Sequence, residues 1–107
     1  MTRIQSIELR HLNLPLIKPY ALSYRTFESF EPYVVTVCTD DGRVAFGEQH
    51  ISPGSSSETR DGGWTFLQDR SKYLIGHSTE AAAADLWNHR IQSPVAATAL
   101  INALDQF

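Results

Sequence analysis

Four histidines, one cysteine, a serine triplet and an aromatic run are the side chains of this sequence with chemistry to offer. His11, His50, His77 and His89 are scattered without metal-ligand spacing, so they do not read as a metal site. Ser55-Ser56-Ser57 lacks the glycines and the trailing lysine of a phosphate cradle and reads as loop plus helix cap. Cys38 lies in a valine-rich run with no charge-lowering neighbour, which predicts an inert core thiol rather than a nucleophile. The segment Lys18 to Pro32 is more promising. It has no sustained period, yet it carries Tyr20, Tyr24, Phe27 and Phe30. Loops normally shed aromatic residues, so an aromatic loop calls for a surface or a ligand to cover it. Arg25 stands among them, and a guanidinium fork can hold a carboxylate through two parallel hydrogen bonds. The plainer reading is a solvated loop arginine.

The elements that must position these residues begin with Ile4 to Leu16. Ile7 and Leu9 share one parity and Leu12, Leu14 and Leu16 the other, which predicts a bulge near Arg10-His11 or two short strands in series. Pro15 and Pro19 bracket a change of direction, since neither donates to a ladder. Tyr33 to Cys38 then alternates valine with other types, and Thr39-Asp40-Asp41-Gly42-Arg43 supplies a turn. Val44-Ala45-Phe46 returns and ends at Gly47-Glu48. Asp-Gly between two β-prone runs is a strong hairpin signal, because Gly42 accepts positive φ without a Cβ clash. Gln49 to Gly63 is a second loop with Pro53-Gly54 as an explicit turn.

Helices fill the second half. The first starts near Ser57-Glu58-Thr59, is weakened by Gly62-Gly63, puts Trp64, Leu67 and Leu74 close to one face, and stops at Gly76. Ser78 or Thr79 caps a second through Arg90, with Ala83, Leu86 and Trp87 as its apolar face. Both tryptophans are expected in the core or facing a neighbouring domain. Ser93 as N-cap and Pro94 at N1 start a third, where Ala96, Ala99, Leu100, Ala103 and Phe107 fall at helical spacing. The fold class is therefore α+β, a three-stranded antiparallel β-meander followed by a bundle of about three α-helices.

Composition narrows the function classes. The 107 residues are one domain on length, with room for a modest core. Net charge is -3 with lysines and arginines dispersed singly, so no basic stripe exists to neutralise phosphates and nucleic acid is not expected as a partner. The apolar stretches are too short to span a membrane, and no signal-peptide core opens the chain. A lone cysteine makes an internal disulfide impossible, and the cytoplasm is the expected compartment.

Order and spacing carry a resemblance. Ile4 to Leu9 with the exit Leu14-Pro15-Leu16 comes first, then Lys18-Pro19-Tyr20. The run Asp40-Asp41-Gly42-Arg43-Val44-Ala45-Phe46-Gly47-Glu48 follows, and then Pro53 through Ser57-Glu58-Thr59. Last is Ser93-Pro94 through Ala103-Leu104-Asp105. Together they resemble the N-terminal capping domain of the enolase superfamily, in its mandelate racemase and muconate lactonizing enzyme branch, across essentially the whole chain. Gly62-Gly63 and Gln49-His50 depart from the family pattern, so no substrate subgroup transfers.

The resemblance implies that residues 1–107 are a capping domain whose partner is a C-terminal (β/α)₈ barrel absent from this chain. Proton abstraction beside a carboxylate, its base and its Mg²⁺ would belong to that barrel, so no catalytic residue, metal ligand or cofactor is expected here. Left to this domain are specificity and exclusion of water. The resemblance maps its two covering loops onto Ser23 to Phe27 and onto His50 to Ser55, and implies substrate contact for Tyr24, Arg25, Phe27, His50 and Ile51. For Tyr24 and Phe27 the alternative is packing, for His50 a surface histidine. Glu48 is implied to be structural, accepting N–H groups of the loop after it. The whole protein would be an isomerase or lyase acting on a small carboxylate as a homo-oligomer, with the Pro53-to-Thr59 region leaning toward the muconate lactonizing and dipeptide epimerase side. A stand-alone binding or oligomerisation domain is the competing reading. An isolated cap is expected to expose the alanine stripe and Phe107, whereas a purpose-built module would bury them and cap its last helix.

Overall fold

A computed structural model describes residues 2–12, 14–21, 26–30, 32–51 and 58–107; for 14–21 and 26–30 it gives the backbone course. The hairpin forms where the turn signal lies. Strands β4 (Tyr33–Thr39) and β5 (Val44–Gln49) pair antiparallel, with Val37 opposite Ala45 and Thr36 opposite Phe46. Gly42 takes φ +87 in the turn, a conformation that favours glycine. Strand β1 (Ile4–His11) pairs on the other side of β4, so the main sheet has the order β1-β4-β5.

Between β1 and β4 the structure differs from the sequence reading. Of the two alternatives for Ile4 to Leu16, the series of two strands is what forms, and the register shift of β1 falls at Ile4/Ser6 rather than near Arg10-His11. The aromatic segment is largely not a loop. Strands β2 (Leu14–Ala21) and β3 (Thr26–Phe30) make a separate antiparallel pair, with Leu14 opposite Phe30 and Tyr20 opposite Phe27. Its period is hidden by Pro15 and Pro19, and the register shifts between Pro15 and Tyr20.

Helices α1 (Arg60–Leu74), α2 (Thr79–His89) and α3 (Pro94–Leu104) follow, with one 3₁₀ turn at Arg90–Gln92. The Thr59 hydroxyl accepts from the Gly62 N–H and the Ser78 hydroxyl from the Ala81 N–H, each satisfying an otherwise orphaned amide. Gly76 ends α1 with φ +85. On α2 the buried residues are Ala82 and Leu86, while Ala83 is half-buried and Trp87 is 58% exposed under the Arg90 guanidinium. Trp87 is thus not a core residue of this chain. Trp64 is half-buried against the core.

The alanine stripe also differs from expectation. Ala96, Ala97, Ala99, Leu100 and Ala103 are all fully buried, because α3 lies on the inner face of the chain's own sheet. The approach is close. A Cβ built on Gly47 of β5 would stand 1.8 Å from the Ala99 carbonyl oxygen, so only a glycine facing small residues admits this contact. Phe107 is half-buried beneath Arg43. The opposite face of the sheet carries Val44 and Phe46, 51% and 59% exposed, and the half-buried Cys38, which therefore faces outward rather than into the core.

Candidate functional site

One end of the main sheet is where the pieces singled out from the sequence meet. His11 ends β1 opposite Tyr33, which starts β4, and the Leu12 N–H donates to the Pro32 carbonyl at 3.0 Å. The ladder resumes at Leu14 opposite Phe30, so the β2–β3 hairpin is a continuation of the β1–β4 pair. Tyr33 is fully buried. Its ring lies 4.8 Å from that of His11 and stacks with Trp64 of α1 at 6.0 Å, and the His11 and Trp64 rings are 5.5 Å apart. Offset aromatic contacts at these separations each add modestly to burial.

The second segment is rooted on the same tyrosine. Gln49, opposite Tyr33, closes β5, and Ile51 two residues later is 1% exposed. A Cβ on Gly63 would meet Ile51 Cδ1 at 2.5 Å and Tyr33 Cε2 at 3.2 Å, so the missing side chain leaves the slot that both occupy. Gly63, read from sequence as a weak point of α1, is what lets Ile51 seat. The Tyr33 hydroxyl donates to the Arg60 carbonyl, and Arg60 Nε donates to the Ile51 carbonyl at 3.2 Å.

The far end of that segment is held by Glu58, which the sequence reading placed at the start of the first helix without assigning it a partner. Its carboxylate accepts from the Val95 and Ala96 N–H groups, each at 3.1 Å, and from the Ser93 hydroxyl. Ser93 was expected to cap α3 with its own side chain, but it makes no such bond. A carboxylate from another element wins, because it satisfies two orphan amides at once and suits the positive end of the helix dipole. No local signal marked this cap, because Glu58 lies 37 positions from Val95 in the chain. Glu48 is exposed, and most of the loop whose N–H groups it was expected to hold, residues 52–57, lies outside the described residues.

Of the five expected substrate contacts, the structure places His50, half-buried, and Ile51, buried, at this corner. Phe27 is opposite Tyr20 in β3, near the tip of the hairpin. Tyr24 and Arg25 lie outside the described residues, as do residues 52–57 with Pro53-Gly54 and the serine triplet. Among the described residues, a cavity of about 410 Å³ is lined by Gly62, Thr65, Phe66, Asp69, Arg70 and Gln92, not by His50 or Ile51. Among the described residues no three His, Cys, Asp or Glu side chains come together to hold a metal, so these residues do not fit an Mg²⁺ site. No described helix is long and apolar enough to cross a membrane. The Asp41 carboxyl, in the β4–β5 turn at the other end of β4, is held below its ordinary value by the Thr39 hydroxyl bond and then by Arg43.

A three-stranded sheet backed by helices, with a hairpin and a second segment rooted at one corner, defines an α+β domain. Over 95% of its length the chain has the fold of the N-terminal capping domain of the enolase superfamily, mandelate racemase/muconate lactonizing branch. It is 27% identical, with a TM-score of 0.81, to a mandelate racemase/muconate lactonizing protein from Herpetosiphon aurantiacus, covering 95% of this chain and 29% of that one. A dipeptide epimerase from Methylococcus capsulatus, complexed with Mg and the dipeptide L-Arg-D-Lys, is 26% identical at a TM-score of 0.78, with 95% and 30% covered. An N-succinyl Arg/Lys racemase from Bacillus cereus shares the fold at 24% identity and a TM-score of 0.83, with 95% and 29% covered. The chain thus spans about three-tenths of the length of these proteins. No family model matches it, and no curated protein does.

Proposed function

We propose that this chain is the specificity lid of a mandelate racemase/muconate lactonizing-type enzyme. The complete protein is then a cytoplasmic, homo-oligomeric isomerase or lyase that removes a proton beside a carboxylate, with its base and Mg²⁺ in a C-terminal barrel. The observation that carries the reading is the shared root. Tyr33 anchors the β2–β3 hairpin through the pairing with His11, and flanks the Gly63 slot that seats Ile51. Two segments with a common rigid base can move onto one substrate together and shut out water.

In this reading Arg25 clamps the substrate carboxylate, and Tyr24 and Phe27 wall the pocket. His50 supplies a polar contact, and Ile51 fixes where the backbone enters the site. The small share of the similar proteins that the chain covers supports a missing barrel. Burial of the alanine stripe is what was expected of a stand-alone binding module, and it keeps that second reading in play.

The test is Arg25→Ala in the complete protein, with this chain alone as control. The expected result is a KM raised roughly 10- to 100-fold, the loss of one charged hydrogen-bonding group, with kcat little changed and no turnover by the 107-residue chain. Unchanged KM removes the clamp, and Mg²⁺-dependent turnover by the chain alone overturns the lid.

A further inference from the structure

The cavity beside α1 carries charged groups that the lid does not use. Arg70 has a side chain only 19% exposed, and its Nε is buried without a hydrogen-bond partner. Its neighbours hold the guanidinium without satisfying it. Asp85 Oδ2 of α2 stands 3.6 Å from Nε, beyond hydrogen-bond reach, and the Tyr73 ring centroid lies 4.9 Å from Cζ. Asp85 is itself shared, since its Oδ1 is 3.3 Å from His89 Nδ1. A guanidinium offers five N–H donors in a planar fork, and among the described residues none of those on Arg70 meets an acceptor. Buried polar groups are normally hydrogen-bonded, so these donors call for an acceptor from outside the chain.

The cavity that Arg70 lines, about 410 Å³, falls within the roughly 300–1,000 Å³ span of small-molecule sites. Asp69 lines it too, exposed and without an ion pair among the described residues. Thr65 and Gln92 add a hydroxyl and an amide, and Phe66 an apolar stretch of wall. With a forked cation and a carboxylate on consecutive residues, a lone anion or a lone cation would meet one attracting and one repelling group. A molecule that carries both charges meets two attracting ones. We propose that this cavity binds an α-amino acid in its zwitterionic form, Arg70 taking the carboxylate through two parallel hydrogen bonds and Asp69 taking the ammonium. The site does not depend on the lid, since His50 and Ile51 do not line it.

The experiment follows the backbone amide NMR shifts of the 107-residue chain as L-alanine is added, with acetate and ethylammonium as the two halves of that ligand. Saturable shifts at Gly62, Thr65, Phe66 and Gln92 are expected with L-alanine. Either half should bind at least about tenfold more weakly, because each forgoes one charged hydrogen-bonding contact. Asp69→Asn, at an exposed position, is expected to weaken L-alanine roughly tenfold and acetate not at all. Arg70→Lys keeps the charge beside Asp85 but loses the fork, and should weaken both. A folded parent chain with no saturable shifts overturns the inference. So does acetate binding as tightly as L-alanine, or an L-alanine affinity that Asp69→Asn leaves unchanged. Should Arg70→Lys fail to fold, the half-ligands and Asp69→Asn still decide the matter.

Discussion

Adding a single methyl at Gly63 probes whether Ile51 and Tyr33 share one slot. Gly63→Ala should destabilise the chain by about 1–3 kcal/mol, the usual cost of overfilling a packed site. Ile51→Val deletes the Cδ1 atom that the new methyl would strike, at about 0.5–1.5 kcal/mol alone. In urea unfolding the double variant should lose clearly less than the sum of the two, and strict additivity would deny the shared slot. At the β4–β5 turn the Asp41 carboxyl is held below its ordinary value of 3.8 by Thr39 and Arg43. Its folded-state pKa is depressed, so the stability that it lends is present above its unfolded pKa and fades as pH falls through the folded value. An NMR titration should place the Asp41 midpoint below 3.8; a midpoint at or above that value contradicts the turn geometry. Residues whose roles are local, Gly42 and Ser78 among them, were legible in the sequence. Gly63 and Glu58 were not, because their partners are distant in the chain.

Among the elements, α3 shows how far a local pattern reaches. Ser93-Pro94 marked its start correctly, and the apolar spacing marked the face that is buried. What caps it was invisible, since the acceptor is Glu58. Glu58→Ala should therefore cost about 1–2 kcal/mol, a strong N-cap's worth, and should speed exchange of the Val95 and Ala96 amides. Ser93→Ala should cost less. The reverse order would restore Ser93 as the cap. The β2–β3 hairpin was missed for a different reason. A register shift and two prolines erase the period-two signal, leaving aromatic richness as its only trace. The three helices and the β4–β5 hairpin, with uninterrupted periods and explicit caps, came through with their ends nearly in place.

For the molecule as a whole, order and spacing of moderate motifs pointed to the fold, and the similar structures bear this out over 95% of the chain. Sequence could not say which apolar face would be covered. The alanine stripe looked like a surface for another domain, and it is spent on the chain's own sheet because Gly47 lets α3 settle there. Among the described residues, the apolar side chains left open include Val44 with Phe46, Tyr73 with Ile75, and Trp87 with Ile91, which is 82% exposed. The central claim is that this chain serves a barrel, and it is tested most directly by sequencing the coding region downstream of the Phe107 codon. The account predicts an open frame of roughly 250 residues, enough for one barrel, with lysines and acidic residues at the strand ends. An immediate stop codon would contradict it and leave a stand-alone binding domain.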